Sequence, residues 1–106
     1  MNNECGLTIL HQLGGLGRLA AMVGANNVAL LPDGVRFKFK GSRVANCLEV
    51  KLNAWDLYDV TFYRLSNKHT EWVVVSETSD AYADMLIDLF EDVTGLALTL
   101  SARAVV

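Results

Sequence analysis

Val28-Ala29-Leu30-Leu31-Pro32-Asp33-Gly34-Val35-Arg36-Phe37-Lys38-Phe39-Lys40 runs from an apolar segment through a turn into strict alternation of apolar and basic residues. A period of two is that of a strand with one buried face. Proline presets φ in the turn, aspartate bonds to the local backbone, and glycine admits left-handed conformations. The segment therefore predicts a β-hairpin in which Val35, Phe37 and Phe39 face a core while Arg36, Lys38 and Lys40 face outward.

The same period continues downstream. Leu48, Val50 and Leu52 share one strand face, Tyr58, Val60 and Phe62 share the next, and Asn53-Ala54-Trp55-Asp56 joins them. Trp72 to Glu77 is a β-branched run that suits a sheet interior. These elements predict four or five strands, mostly antiparallel.

Upstream, Leu7, Leu10, Leu13, Leu16, Leu19 and Val23 keep the three-to-four spacing of a helix. Gly14, Gly15 and Gly17 would each cost about 1 kcal/mol inside it. The helix is therefore expected to break near Gly14, with a second helix running to Met22 and capped by Gly24. At the other end, Asp80 is placed as an N-cap before the stripe Tyr82, Met85/Leu86, Leu89/Phe90 and Val93, which stops at Gly95. Leu96 to Leu100 is expected to form a short closing strand, and residues 1–6 and 101–106 to be flexible termini. The fold class is α+β: an N-terminal helix pair, an antiparallel sheet, and one amphipathic acidic C-terminal helix packed on it.

A chain of 106 residues that is 52% hydrophobic can bury a single core without disulfides or metals. Cys5 and Cys47 stand far apart and belong to no metal-ligand spacing, so neither a disulfide nor a zinc site is expected, and no cofactor is implied. No segment reaches the roughly 20 apolar residues of a membrane span. Met1-Asn2-Asn3-Glu4 lacks the pattern of a secretory signal, so the expected location is the cytoplasm.

Nucleophilic or acid–base catalysis needs partnered groups, and the two histidines, His11 and His69, lie in no catalytic motif. A non-enzymatic protein is expected. Gly14-Gly15-Leu16-Gly17-Arg18 lacks the preceding strand and the Gly-Lys-Ser/Thr ending of a phosphate loop, and reads as a helix corner. Arg36, Lys38, Lys40, Arg43 and Lys51 form a basic stripe of the kind that binds nucleic acid. The interleaved phenylalanines turn inward, however, and alternating cations also guard sheet edges. Direct nucleic-acid binding is therefore the secondary expectation.

Charge is divided unevenly along the chain. Residues 1–70 hold eight basic and five acidic side chains, whereas residues 71–106 hold seven acidic ones against Arg103 alone. Asp80, Asp84, Asp88 and Asp92 recur every four residues, which on a helix sets like charges against each other at about 0.2–0.5 kcal/mol per pair. Asp88, Glu91 and Asp92 also fall toward the unfavourable end of the helix dipole. Asp80, Asp84, Asp88, Glu91 and Asp92 are thus the candidate surface for a basic partner.

Ile9-Leu10-His11-Gln12-Leu13-Gly14-Gly15, Met22-Val23-Gly24-Ala25, Leu57-Tyr58-Asp59-Val60-Thr61-Phe62, and Tyr82-Ala83-Asp84-Met85-Leu86 through Phe90-Glu91 to Thr94-Gly95-Leu96 occur in that order. Together they resemble a group of small proteins encoded by bacteriophages and integrative mobile elements, to which no activity is assigned. The sequence departs from that pattern where Leu19, Val23 and Ala97 replace two aromatics and a threonine. The resemblance implies a bacterial host cell and, by analogy, inhibition of a host defence complex of the CRISPR kind that presents a basic groove.

Overall fold

The computed structural model describes residues 4–66 and 71–98. Helices α1 (Glu4–Gln12) and α2 (Leu16–Val23) precede strands β1 (Asn26–Leu31), β2 (Gly34–Lys38), β3 (Cys47–Leu52), β4 (Tyr58–Leu65) and β5 (Trp72–Ala81). A 3-10 turn (Ala83–Met85) then leads into α3 (Leu86–Thr94). The strands form one antiparallel sheet in chain order, β1-β2-β3-β4-β5, as expected for an α+β domain.

The hairpin forms where its alternation requires, with Leu31 opposite Gly34, Leu30 opposite Val35 and Ala29 opposite Arg36. Gly34 opens β2 without a left-handed φ, and its lack of a side chain serves packing: a Cβ there would stand 1.9 Å from the carbonyl oxygen of Val50. Gly6 fits against the same corner, because its Cβ would lie 2.6 Å from the carbonyl oxygen of Gly34. Residues 4–6, expected to be flexible, are therefore the first turn of α1, docked on the hairpin.

The two N-terminal helices separate at Gly14 and Gly15, whose φ values of 110° and 92° only glycine adopts readily. The Gly14 and Gly15 N–H groups donate to His11 O (3.0 Å) and Leu10 O (2.9 Å), a Schellman closure of α1. Neither N–H is left for an anion. Because the chain turns here, the leucine stripe does not continue through it: Ile9, Leu10, Leu13, Leu19 and Val23 are buried, while Leu7 and Leu16 are exposed. Gly24 caps α2 in the left-handed conformation, as its position predicts.

The core lies between the helices and one face of the sheet. Val35, Phe37, Leu48, Val50, Val60 and Phe62 meet Ile9, Leu13, Leu19, Leu86 and Phe90 in one cluster. Phe90 anchors α3, with its ring 5.0 Å from Phe39 and 6.1 Å from Phe62. Leu19 and Val23 are core positions, so a change there alters packing rather than surface.

Three expectations are corrected. The valine-rich strand is an edge, not an interior strand, because in a sheet built wholly of sequential hairpins the last strand has one neighbour. Asp80 does not cap a helix: it lies in β5 with φ 59°, and its carboxylate accepts the Asn53 side-chain amide at 2.7 Å. The helix begins only after Tyr82, which is consequently exposed rather than part of the core stripe. Residues 96–98 have no regular structure. The rest of the expected closing strand, the C-terminal tail and His69 lie outside the described residues.

Candidate functional site

β5, the 3-10 turn and α3 carry most of the chain's acidic residues, with Glu77 on the open face of the sheet beside Tyr63 and Asp84, Asp88 and Asp92 on the helical layer. Glu71, Glu77, Asp80, Asp84, Asp88 and Asp92 are all exposed, and residues 71–98 contain no lysine, arginine or histidine. Asp88 and Asp92 are four residues apart on α3, with Asp84 in the 3-10 turn ahead of them. Exposed Tyr82 and half-exposed Met85 lie between Asp80 and Asp88, and the Tyr82 N–H donates to Met85 Sδ at 3.4 Å. Tyrosine and methionine are enriched in protein interfaces, whose rims are polar.

Glu91 does not belong to that surface. Leu86, Phe90, Glu91 and Thr94 occupy one face of α3 and are buried, with Glu91 only 7% exposed. Its Oε2 accepts the Leu98 N–H at 2.7 Å, which holds the chain leaving the helix against the core. Thr94 reinforces the same turn: its Oγ1 donates to Phe90 O at 2.6 Å, and its carbonyl accepts from Ser42 Oγ at 2.8 Å. The helical period already placed Glu91 beside Phe90 and Thr94, a signal outweighed in the sequence by its charge.

Asp80 joins a different group. Asn53 Nδ2 donates to Asp59 Oδ1 (3.0 Å) and Asp80 Oδ1 (2.7 Å), while Asn53 Oδ1 accepts from the N–H groups of Trp55 (2.8 Å) and Leu57 (3.2 Å). One amide thus organises the β3–β4 turn and ties β5 to it. Sequence reasoning treated Asn53 as a linker; its only signal was an asparagine at the first position of a tight turn.

The helices leave the other face of the sheet open, and the basic stripe is only partly free there. Arg36 Nη1 pairs with Glu49 Oε1 at 3.3 Å, and Lys51 Nζ reaches Glu49 Oε2 at 3.9 Å. The Arg36 guanidinium also lies 5.2 Å from the centre of the Trp72 ring, which meets Tyr63 edge-on at 5.2 Å. Burial, then the Glu49 carboxylate, holds the Tyr63 hydroxyl above its ordinary pKa. Lys38 and Lys40 line a recess of about 330 Å³ together with Asn26, Asn27, Phe39 and Asn46. Arg43 is exposed in the loop before β3, and its carbonyl accepts from Arg64. The five cations are therefore divided between an internal charge network, a recess and a loop.

The sulfur groups are apart and protonated. Cys47 is buried in β3, and burial pushes its thiol up to about 11. Cys5, in α1, donates its S–H to Asp33 O at 3.2 Å, and burial raises its pKa as well. His11 is exposed at the end of α1. Among the described residues no three His, Cys, Asp or Glu side chains converge as a metal site, and no helix is long and apolar enough to cross a membrane. No family model, curated protein or solved structure matches this chain.

Proposed function

We propose that this protein is a non-enzymatic binding protein of a bacteriophage or mobile element that inhibits a host defence complex, in the manner of an anti-CRISPR protein. Its acidic C-terminal helix, with Asp84 in the 3-10 turn and Asp88 and Asp92 on α3, occupies a basic groove that would otherwise hold nucleic acid. The observation carrying this reading is the run of six exposed carboxylates with no cation anywhere in residues 71–98. Such a one-signed surface steers association with a cationic groove and repels nucleic acid. Tyr82 and Met85 supply apolar contact beside the charges.

Tagged protein incubated with host lysate tests the proposal. A captured complex must lose its nucleic-acid binding while occupied, and must be released by the combined changes Asp84→Lys, Asp88→Lys and Asp92→Lys. Retention of the same complex by this folded triple variant would end the acidic-docking mechanism. The recess holding Lys38 and Lys40 favours a second reading, phosphate binding by a nucleic-acid accessory protein. Gel shifts at about 50 and 200 mM salt separate the two, since phosphate contacts weaken steeply over that range.

A further inference from the structure

We infer that the outer edge of β5 takes up an extended, basic segment of the partner protein as a sixth strand, an inference that rests on the acidic-docking reading above. β5 is ten residues long and among the described residues ends the sheet, with one row of its backbone N–H and C=O groups facing away from β4. Edge strands are ordinarily guarded by lysine, proline, bulges or short length. β5 has no lysine or proline, and its irregularities fall opposite Tyr58/Val60 and Phe62/Tyr63. Trp72, Val73 and Val74 therefore continue in unbroken register against Leu65, Arg64 and Tyr63.

These three residues are 47%, 56% and 49% exposed. Successive strand residues point to opposite faces, so an added strand would cover apolar surface on both sides of the sheet at once. The opposite edge offers less: in β1 only Leu30 is an exposed large apolar residue, and the register shifts between Asn26 and Ala29. Backbone pairing to an exposed edge, with side-chain pockets giving selectivity, is a general mode of peptide recognition.

Charge decides the occupant. Glu71 and Glu77 bracket the apolar run, and no cation lies on the strand. A second copy paired on this edge would bring another strand carrying Glu71, Glu77 and no cation against the first, and like charges across a ladder destabilise it. An incoming segment with lysine or arginine near each end meets Glu71 and Glu77, which the irregularity at Val75 sets on opposite faces of the strand. β-branched residues between them would cover Val73 to Val75.

A blocked heptapeptide with lysine at each end and alternating valine and threonine between them is the probe. Two control peptides carry glutamate for lysine, or proline at the centre. Amide hydrogen exchange is followed by NMR on the full chain, with peptide at about ten times its Kd. Edge amides within Trp72–Thr78 should slow about tenfold, as mass action requires, and neither control should slow them. The inference is overturned by no slowing, by equal slowing with the glutamate peptide, or by changes confined to Asp84–Asp92. It is also overturned if β5 protection rises with protein concentration alone, which would make a second copy the occupant.

Val74→Lys, checked for folding by circular dichroism, separates this inference from the reading beneath it. Loss of the host complex in this variant supports strand addition. If Val74→Lys keeps the complex while the triple aspartate reversal releases it, acidic docking stands and strand addition falls. If both variants keep it, the acidic-docking reading falls too.

Discussion

Replacing Glu91 with alanine tests whether the acidic helix has an internal as well as an external role. The carboxylate is 7% exposed and accepts the buried Leu98 N–H at 2.7 Å. A hydrogen bond to a charged group contributes about 1.5–3 kcal/mol net, and its removal leaves the Leu98 donor without that acceptor. Losing buried methylene contacts adds up to about 0.8 kcal/mol per group, while relief from burying a carboxylate works in the opposite direction. The expected net loss is about 2 kcal/mol, or roughly 10 °C in Tm for a domain of this size. Asp92→Ala, at the exposed neighbouring position, should stay within about 0.5 kcal/mol. Urea unfolding followed by circular dichroism, with m-values compared, measures both. If the two variants differ by less than about 0.5 kcal/mol at equal m, Glu91 is not the clasp described above.

Asn53→Asp should be more destabilising than Asn53→Ala at neutral pH, because it sets a third carboxylate between Asp59 and Asp80, which now accept the Asn53 amide. The excess cost should shrink as pH falls into the ordinary carboxylate range, near 4; urea midpoints that show no such recovery would contradict the shared amide. Cys47 gives a window at the alkaline end. Its thiol is raised from 9.0 to about 11, chiefly by burial, so the unfolded chain loses its proton first. The stabilisation is fully present below pH 9 and is lost as pH rises from 9 to 11. Cys47→Ala should flatten that decline in urea midpoint, leaving a residual slope from Cys5, Tyr58 and Tyr63, which burial also raises. Identical slopes in the two proteins would show that Cys47 is not the titrating group.

The elements most legible in the sequence are those whose period and punctuation agree. Alternation around Pro32-Asp33-Gly34 specified the hairpin, and the positions of Gly14, Gly15, Gly24 and Gly95 located helix ends, because left-handed backbone leaves glycine as the natural choice. Strand order was less legible. A β-branched run reads alike in an interior or an edge strand, and only the meander of hairpins assigns Trp72–Val74 to the edge. The candidate site was legible as charge but not as geometry. Asp84, Asp88 and Asp92 are exposed as the spacing implied, whereas Glu91 turns inward and Asp80 bonds to Asn53 across a turn. Whether a carboxylate faces water depends on which neighbours need an acceptor, and those neighbours, Leu98 and Asn53, lie 7 and 27 residues away in the chain.

The division of labour within the sheet leaves the outward side of α3 and the edge of β5 free of the demands of the core. The core is held by the inward residues of β2, β3 and β4 together with Phe90 and the N-terminal helices. The outward side of α3 and the free edge of β5 contribute little to it, so their side chains are not set by burial. Acidic residues there would be sufficient to keep the protein dispersed and to discourage edge-to-edge pairing. Trp72, Val73 and Val74 work against that end: they leave apolar surface beside unpaired backbone at the position where self-association is easiest. Solubility alone would favour polar residues at 73 and 74, since neither side chain is needed to close the core. On the strand-addition proposal, an adhesive centre between acidic ends disfavours a second copy and suits a complementary, positively charged strand. That combination is the physical requirement for a binding edge that remains monodisperse until its partner arrives.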